Sequence, residues 1–400
     1  MSRSNHTDFI VKAFRDYYRR KKMIISVDDI ARREIMLMHF NGKVVRYLSF
    51  HSQEELRNRL VNDVPAHAYY SASKYEKPER MEGWLGMELL FDIDADKLHL
   101  PCKYQHDYWI CERCGMKGRG SAPINCPECG SDKLKTVTWI CNSCLEAARK
   151  ETIKLIEEFL LGDFCFHKQE IRTVFTGNRG FHVIVSDSKI LDLSEDQRKS
   201  IVEYVSGSRL SAELIVRVVQ DKKKKFIVLP SVRESGWRGR YARHVESILE
   251  SLARIRDNPE LMAEIKRSLT DGRPFKVDRK SRVDKLLRDL VGEVRKRYGC
   301  KVDKVVTPDL KRSSRIPNTL HGKTGWRVYP LTVDELYTFN PSLPAASLGD
   351  IPVRVRSLGI PELPPSPINP PSVPSGEVFK LPLYMAVTLL LKGMVEPVQQ

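Results

Sequence analysis

The stretch ELLFDIDAD, residues 88–96, places acidic residues inside an otherwise apolar segment. The apolar residues predict a β-strand, and Asp92 and Asp94 stand two residues apart in it. Side chains at i and i+2 of a strand lie on one face, so the two carboxylates point the same way. Such a pair is repulsive unless a cation neutralises it, and hard oxygen ligands suit Mg²⁺ or Mn²⁺. The stretch therefore indicates a divalent-metal site; the alternative is two acidic residues where a strand emerges into a loop.

The chain of 400 residues is strongly basic, with a formal net charge of +16 and a pI near 9.4. An excess of this size favours a polyanionic partner such as nucleic acid. The longest uncharged apolar stretch, residues 381–391, is too short to span a bilayer. The N-terminal residues lack the apolar core of a secretory signal. We therefore expect a cytoplasmic protein with no membrane partner.

Two cysteine pairs predict a structural zinc site. Seven of the nine cysteines fall between residues 102 and 144, which in a reducing compartment favours metal over disulfides. Cys111-x2-Cys114 and Cys126-x2-Cys129 form two knuckles, and four thiolates at this spacing suit tetrahedral Zn²⁺ with no open position. Buried free cysteines are the alternative, but they would not explain two such knuckles.

A second ligand set flanks the first. Cys102, His106, Cys141 and Cys144 would close a Cys₃His site around the nested Cys₄ ribbon, although other pairings of the knuckles would also satisfy zinc. The partition therefore predicts two structural zinc ions per chain. Contact with nucleic acid or a partner is the expected task of the ribbon, and a small stabilising insert is the alternative.

The segment Thr176–His182, TGNRGFH, predicts a phosphate-binding turn. Its glycines let the backbone approach an anion, and the Arg179 guanidinium can form a fork to phosphate oxygens. His182 opens the following strand. A single histidine on a strand is more often a hydrogen-bonded core residue, but its place after a Gly-Arg-Gly turn favours phosphate contact.

The segment Arg315–Gly325, RIPNTLHGKTG, is a second basic turn containing His321 and Lys323. It resembles the end of a P-loop, but Pro317 occupies the position of the first glycine, so a P-loop is not expected. A second triphosphate-contacting segment fits better. Asp303 and Asp309, just upstream, are the candidates for a third carboxylate. Metal-binding carboxylates, positioned cations and little covalent chemistry are typical of phosphoryl or nucleotidyl transfer.

Three ordered motifs resemble those of the catalytic small subunit of archaeal and eukaryotic DNA primase. They are ELLFDIDAD, TGNRGFHVIV, and KVDKVV followed by SSRIPNTLHGKTG. Further similarities, from DYYRRKKM near the start to LPLYMAVTLLLKG at the end, extend the resemblance over nearly the whole chain. It implies an α/β fold, an α+β mixed sheet with flanking helices, in a primase-type catalytic core with zinc-binding and helical insertions.

The resemblance also implies a division of the chain. The catalytic core is expected in three parts, at residues 1–100, 149–230 and 301–358. A zinc-binding insertion is expected at 101–148 and a helical insertion at 231–300. A Pro-rich linker at 359–375 and a C-terminal helix at 376–400 follow the core.

The resemblance assigns roles to individual residues. Catalytic, metal-binding aspartates are Asp92, Asp94 and Asp303, and Asp309 does not match the family's interval. Asp96 gains no such support and is expected to be a solvated loop residue. Positions that match nucleotide contacts, or join them as further candidates, are Arg46, Thr176, Arg179, His182, Arg315, His321 and Lys323. Thr176 replaces the usual Ser and keeps the hydroxyl. Asn318-Thr319 replaces Gly-Ser, and the Cys₄ ribbon is an insertion.

The resemblance implies DNA-templated nucleotidyl transfer, a primase-type DNA-directed RNA polymerase that makes short primers for replication with two Mg²⁺ or Mn²⁺ ions. Expected partners are a single-stranded DNA template, nucleoside triphosphates and the primase large subunit, in a nucleoid-associated complex. The alternatives are a repair or gap-filling polymerase of the same superfamily and a non-catalytic zinc-ribbon nucleic-acid-binding protein. The sequence leaves open whether ribonucleotides or deoxyribonucleotides are preferred.

Overall fold

The computed structural model describes residues 3–20, 24–220, 224–278 and 280–398. The chain forms two compact units. The first unit comprises Met1–Ile153, Lys168–Glu195 and Val305–Gln400, and the second comprises Lys154–His167 and Asp196–Lys304. Helices and strands alternate along the chain, which confirms the predicted α/β class.

The strands are short, and those of each pair run antiparallel in the described residues. Their bounds are β1 Ile35–Met38, β2 Val44–Leu48, β3 His67–Ser71, β4 Ser73–Lys77, β5 Glu82–Met87, β6 Leu89–Asp94, β7 Tyr108–Cys111, β8 Lys117–Arg119, β9 Leu134–Val137, β10 Ile171–Phe175, β11 Gly180–Val185, β12 Arg217–Gln220, β13 Lys225–Val228, β14 Phe275–Val277, β15 Ser313–Arg315, β16 Tyr329–Leu331, β17 Pro352–Ser357, β18 Val378–Pro382 and β19 Val395–Pro397.

The α-helices connect and flank these strands. Their bounds are α1 Arg3–Arg19, α2 Gln53–Asp63, α3 Lys103–His106, α4 Asn142–Lys154, α5 Glu195–Ser206, α6 Ala212–Ile215, α7 Gly236–Ile248, α8 Ala253–Arg256, α9 Pro259–Asp271, α10 Val283–Tyr298, α11 Val333–Tyr337, α12 Ser342–Ala345 and α13 Leu383–Lys392. In the part of the chain that the structure describes, none of the helices has the length and apolarity needed to cross a membrane.

Two four-stranded sheets in the first unit carry the predicted motifs. The first sheet has the order β15–β3–β1–β2, and the second has the order β16–β10–β11–β6. Strand β6 contributes to the hydrophobic core, because its apolar residues from Leu89 to Phe91, and Ile93, are buried. The predicted hairpin is confirmed as β10 and β11, with Phe175 opposite Phe181 in the register.

Helix α1 supports the second basic turn. Its apolar face buries Phe14, Tyr17 and Tyr18. The Tyr17 hydroxyl donates to the Asn318 carbonyl at 2.8 Å, and the Tyr18 hydroxyl accepts from the backbone N–H of Leu320 at 3.2 Å. The aromatic residues that predict this helix therefore also hold the turn that contains His321 in place.

The C-terminal segment 376–400 is not helical throughout, because strands β18 and β19 flank helix α13 and pair with β17. Helix α13 is tied to the second basic turn through Thr388. The Thr388 hydroxyl donates to the Thr324 carbonyl at 2.7 Å and accepts from the Trp326 indole N–H at 3.1 Å.

The Pro-rich segment 359–375 differs from the predicted linker, because it folds back onto the first unit. Ile360 and Val373 form a two-way backbone bridge at 2.9 and 3.0 Å. Ile368 between them is buried, and the Pro365 carbonyl accepts from the N–H of Asn142 at 2.9 Å. The prolines supply rigid turns. Buried isoleucine and valine side chains anchor these turns to the first unit, and the number of prolines alone does not predict this packing.

The second unit contains helices α5–α10 and the β12–β13–β14 sheet. Of these strands, β14 lies within the expected helical insertion, residues 231–300, whereas β12 and β13 precede it. The first segment of the second unit, Leu155–Leu161, is a π-helical continuation of α4. The buried Arg240 guanidinium fixes that segment by pairing with Glu158 at 3.1 Å and Asp163 at 2.7 Å. Burial of a guanidinium is tolerated here because two carboxylates neutralise it.

Candidate nucleotide and metal site

The register between β6 and β11 sets the geometry of the acidic pair. Asp92 lies opposite His182, and Asp94 lies opposite Gly180. Because opposite residues of an antiparallel pair share a face, the His182 Nε2 atom approaches the Asp92 Oδ1 atom to 3.8 Å. A side chain at position 180 is excluded, since an added Cβ would lie 2.2 Å from the Ile93 carbonyl oxygen.

His182 is a neutral imidazole held by the first sheet. Its Nδ1 atom lies 2.9 Å from the hydroxyl of Ser314 on β15. Burial, followed by the Arg315 and Arg312 cations, lowers the pKa of His182 to about 3. The uncharged His182 ring can therefore form hydrogen bonds beside Asp92 without forming an ion pair with it.

The first basic turn holds Arg179 against the acidic strand. The turn is closed by the Thr176 hydroxyl, which donates to the Gly180 carbonyl at 3.1 Å. The Arg179 Nη2 atom forms an ion pair with Asp96, and its Nε atom lies 4.0 Å from Asp94 Oδ1. That Nε atom is buried and makes no hydrogen bond within the described residues.

Asp96 is solvent-exposed, as the sequence predicts, with 40% of its side chain accessible, but it also pairs with Arg179. The backbone N–H of Asp96 donates to Asp94 Oδ1 at 3.0 Å, so a short 3₁₀ turn after β6 brings its carboxylate back to the site. Burial raises the pKa of Asp96, and the Asp94 charge adds to the rise while Arg179 opposes it. Sequence spacing does not predict this pairing because Arg179 lies in a turn that is distant in the sequence, between β10 and β11.

The second basic turn places Arg315 above an aromatic ring. Its guanidinium carbon lies 4.8 Å from the centroid of the Tyr69 ring, and its Nη1 atom donates to His67 Nδ1 at 3.0 Å. Burial lowers the pKa of Arg315, whereas the negative charges of Asp92 and Asp94 raise it. The charge of Arg315 is therefore coupled to those of Asp92 and Asp94.

His67, at the start of β3, is a functional candidate that the sequence reasoning missed. Its Nδ1 atom also accepts from the backbone N–H of Gly322 at 3.3 Å, and its ring lies edge-on to His321 at 4.7 Å between centroids. Burial, Arg315 and Lys323 lower the pKa of His67 to about 3. The dipeptide His67-Ala68 contains no motif that would have identified it.

His321 has a defined tautomer. The backbone N–H of Lys323 donates to His321 Nδ1 at 3.2 Å, so the ring proton of the neutral form resides on Nε2. Burial lowers the pKa of His321 well below its ordinary value, and the nearby Arg315 adds to this effect. The ring can thus donate one hydrogen bond to an anionic ligand.

The two basic turns contact each other directly. The Thr324 hydroxyl donates to the Gly177 carbonyl at 2.6 Å. Gly177 has φ +76°, and an added Cβ would lie 2.9 Å from the Trp326 carbonyl oxygen. The turns that the sequence predicts separately therefore form one surface, and Gly177 is the residue that permits their close approach.

Arg46 and the upstream carboxylates complete the set of predicted site residues. The Arg46 guanidinium, on β2, pairs with Glu34 through hydrogen bonds of 2.9 and 3.0 Å. Asp303 belongs to the second unit, two residues before the chain re-enters the first unit at Val305. Asp309, the alternative carboxylate, accepts from the backbone N–H of Lys311 at 2.9 Å and is engaged in a turn.

The structure brings together both predicted cysteine sets. In each set the four ligand atoms lie within 4.8 Å of one another, a spacing that could hold a metal ion and is consistent with zinc. The first set is Cys102, His106, Cys141 and Cys144, and the second is Cys111, Cys114, Cys126 and Cys129.

Asp107 orients the histidine of the first set, and the sequence reasoning did not identify it. The His106 Nδ1 atom lies 2.7 Å from Asp107 Oδ1, which directs Nε2 towards the Cys144 sulfur at 3.5 Å. A carboxylate on the distal nitrogen is the usual partner of a histidine that binds a metal through its other nitrogen.

An acidic strand faced by two basic turns and neutral imidazoles is typical of enzymes that act on nucleoside triphosphates with divalent metals. Comparison with known proteins agrees with this class. A family model described as DNA primase small subunit matches residues 133–333. The chain therefore belongs to the DNA primase small subunit family, which gives it a catalytic primase function in DNA replication.

Individual relatives extend this match over most of the chain. The protein named DNA primase small subunit PriS from Methanosarcina barkeri is 30% identical over 444 residues, covering 97% of this chain and 96% of that protein. The PriS protein from Methanocella arvoryzae is 29% identical over 388 residues, covering 87% and 88%. The one from Thermoplasma acidophilum is 28% identical over 394 residues, covering 96% and 98%.

Proposed function

We propose that this chain synthesises primers by DNA-templated nucleotidyl transfer, as a DNA-directed RNA polymerase of the primase type. The observation that carries the proposal is the acidic pair on β6, set opposite the β11 strand that starts at the first basic turn. The second basic turn adds Arg315, whose charge interacts with Asp92 and Asp94. Nucleotidyl transfer needs positioned charge of both signs and no covalent intermediate.

The carboxylates of Asp92, Asp94 and Asp303 would hold Mg²⁺ or Mn²⁺, because oxygen ligands on a rigid strand suit hard divalent cations. When bound, such ions supply charge stabilisation for the leaving pyrophosphate and lower the pKa of the attacking 3′-hydroxyl. Asp303, in the second unit, is included on family resemblance.

The remaining residues would bind and orient the triphosphate. Arg179 and Arg315 supply guanidinium groups, and the turn geometry fixed by Thr176 aims the first of them at the acidic strand. His321 donates from Nε2, since its Nδ1 atom already accepts from Lys323. His182 remains neutral beside Asp92, and Lys323 adds a further cation. Arg46, which pairs with Glu34, is a further candidate.

The two cysteine sets would each hold a structural Zn²⁺, since each offers four protein ligands and no open position. The basic composition, with a net charge of +16, fits a single-stranded DNA template. The primase large subunit is proposed as a partner by family membership, in a cytoplasmic, nucleoid-associated complex. The division into three core segments with zinc-binding and helical insertions forms part of the same proposal.

Synthesis on an unprimed single-stranded DNA template tests the proposal. The protein is incubated with Mg²⁺ or Mn²⁺ and either ribonucleotides or deoxyribonucleotides, and a primed template is assayed in parallel. We expect products on the unprimed template with at least one nucleotide class, and none after chelation of the divalent ion. Extension restricted to the primed template would instead show a gap-filling polymerase, and no incorporation on either template would show a non-catalytic protein.

A further inference from the structure

Lys392 is a cation beside the two basic turns, and the proposed function does not use it. It is the last residue of α13, and the Thr388 bonds fix that helix against the second basic turn. The Lys392 Nζ atom donates to the Thr138 carbonyl at 2.9 Å, just after β9 of the zinc-binding region. Its half-buried side chain is thus held between the terminal helix and the cysteine-rich segment.

The surroundings of Lys392 are mostly cationic. Burial, followed by the charges of Arg179 and Lys323, lowers the pKa of Lys392 to about 8, and Asp107 and Asp96 oppose the shift. The ammonium group therefore remains mostly protonated at pH 7. Three cations that repel one another indicate an anionic ligand, just as the carboxylate pair on β6 indicates a cation.

A buried donor without a partner points to the same ligand. The Arg179 Nε atom is buried and makes no hydrogen bond within the described residues, although Nη2 of the same guanidinium pairs with Asp96. Buried donors that lack a partner are rare in folded proteins and are often completed by a ligand. The unsatisfied atom lies 4.0 Å from Asp94 Oδ1, which places the anion next to the metal-binding carboxylates.

We propose that Lys392 is a further cation of the nucleotide site, in addition to Arg179, Arg315 and Lys323, and contacts the distal phosphates of an incoming nucleoside triphosphate. The inference deepens the proposed function and rests on it. A triphosphate fits better than a template backbone because Arg179, whose charge acts on Lys392, lies against the acidic strand at Asp94 and Asp96. A nucleic-acid backbone has its phosphates spread along the strand, whereas a triphosphate concentrates its negative charge in one place.

The contact with Thr138 gives the zinc-binding region a role in this arrangement. Asp107 orients His106 of the Cys₃His set, its Oδ1 atom accepts from the Trp139 backbone N–H at 3.2 Å, and its charge acts on Lys392. A correctly folded zinc-binding region therefore positions the Lys392 ammonium group. The cysteine-rich segment would in this way support nucleotide binding without contributing a ligand to the nucleotide.

The test compares Lys392→Gln with the wild-type chain, using calorimetric titration with ATP and AMP in the absence of template. Glutamine keeps an N–H donor for the Thr138 carbonyl and removes only the charge. We expect the Kd for ATP to rise about 10-fold or more, while the Kd for AMP changes by less than about twofold, because a charged hydrogen bond to the distal phosphates is lost. Lys392→Arg should restore ATP binding.

Lys380→Gln is the matched control, since Lys380 is an exposed lysine on strand β18. We expect the ATP affinity of this variant to match the wild type. Zinc content is measured for every variant, and retention of the wild-type value shows that the region around Thr138 is intact.

An unchanged Kd for ATP in Lys392→Gln would overturn the inference, as would equal losses of affinity for ATP and AMP. A selective loss of template DNA affinity would assign Lys392 to the nucleic acid instead. Absence of ATP binding by the wild-type chain would overturn the proposed function itself.

Discussion

Substitution of His67 by phenylalanine tests how the second basic turn is held. His67 Nδ1 accepts from the Arg315 guanidinium at 3.0 Å and from the Gly322 N–H at 3.3 Å. Phenylalanine keeps an aromatic ring beside His321 but removes the acceptor from both donors. His67→Phe therefore leaves a buried guanidinium with a donor unsatisfied, while the stacking of Arg315 on Tyr69 remains.

The expected magnitude follows from the charge of the donor. A hydrogen bond that involves a charged group contributes about 1.5–3 kcal/mol, and about 1.4 kcal/mol corresponds to a tenfold change. We expect the free energy of unfolding at pH 7 to fall by about 1.5–3 kcal/mol, measured by urea denaturation. We also expect kcat/KM for nucleotide incorporation to fall by about tenfold or more, since Arg315 is no longer held in place. His51→Phe, at an exposed histidine, is the control.

The same variant has a predictable dependence on pH. The pKa of His67 is about 3 in the folded protein against 6.5 for the unperturbed side chain, so the unfolded chain binds the extra proton between these values. The free energy of unfolding therefore falls as pH decreases from 6.5 towards 3, by at most about 1.4 kcal/mol per pH unit from this residue. His67→Phe should lose this contribution and show a shallower decline. The role assigned to His67 would be refuted if His67→Phe and the wild type had equal free energies of unfolding at pH 7 and an equal decline of that free energy below pH 6.5.

Three further changes probe the rest of the site. Arg179→Lys removes the planar fork that pairs with Asp96, so kcat/KM should fall by about tenfold or more in a steady-state incorporation assay, with unchanged zinc content; wild-type kinetics would contradict the role. Gly177→Ala forces a side chain into a left-handed conformation beside the Trp326 carbonyl, and urea denaturation should show a loss of about 1–2 kcal/mol or more. Metal analysis should give two zinc ions per wild-type chain and one in Cys111→Ser, whereas one or none in the wild type would rule out the two-site partition.

Local patterns in the sequence predict much of the site. Two strand-like segments joined by a glycine-containing turn are sufficient to predict the β10–β11 hairpin, because the pairing of its strands depends on residues that are close in sequence. The spacing of the cysteines likewise anticipated both ligand sets. The position of Asp92 opposite His182 was not foreseen, since pairing between β6 and β11 joins segments almost ninety residues apart, in the ranges Leu89–Asp94 and Gly180–Val185.

The features that were missed depend on contacts between distant segments. His67 lies on a strand of the first sheet and gains its role through Arg315, more than 240 positions further along the chain. Asp96 is exposed, as the sequence predicts, but its ion pair with Arg179 joins it to a turn that is distant in the sequence. The prolines of 359–375 suggested a linker, but the buried Ile368 anchors the segment to the first unit. Composition and spacing report local conformation, whereas these roles come from tertiary packing.

The proposed function makes the acidic pair on β6 the metal-binding centre of primer synthesis. The most direct measurement is the yield of primers on an unprimed single-stranded DNA template by Asp92→Ala, beside Asp303→Ala and the control Asp309→Ala. We predict no product from the first two variants and wild-type yield from the control, with all three retaining cooperative unfolding. Normal primer synthesis by Asp92→Ala would contradict the claim.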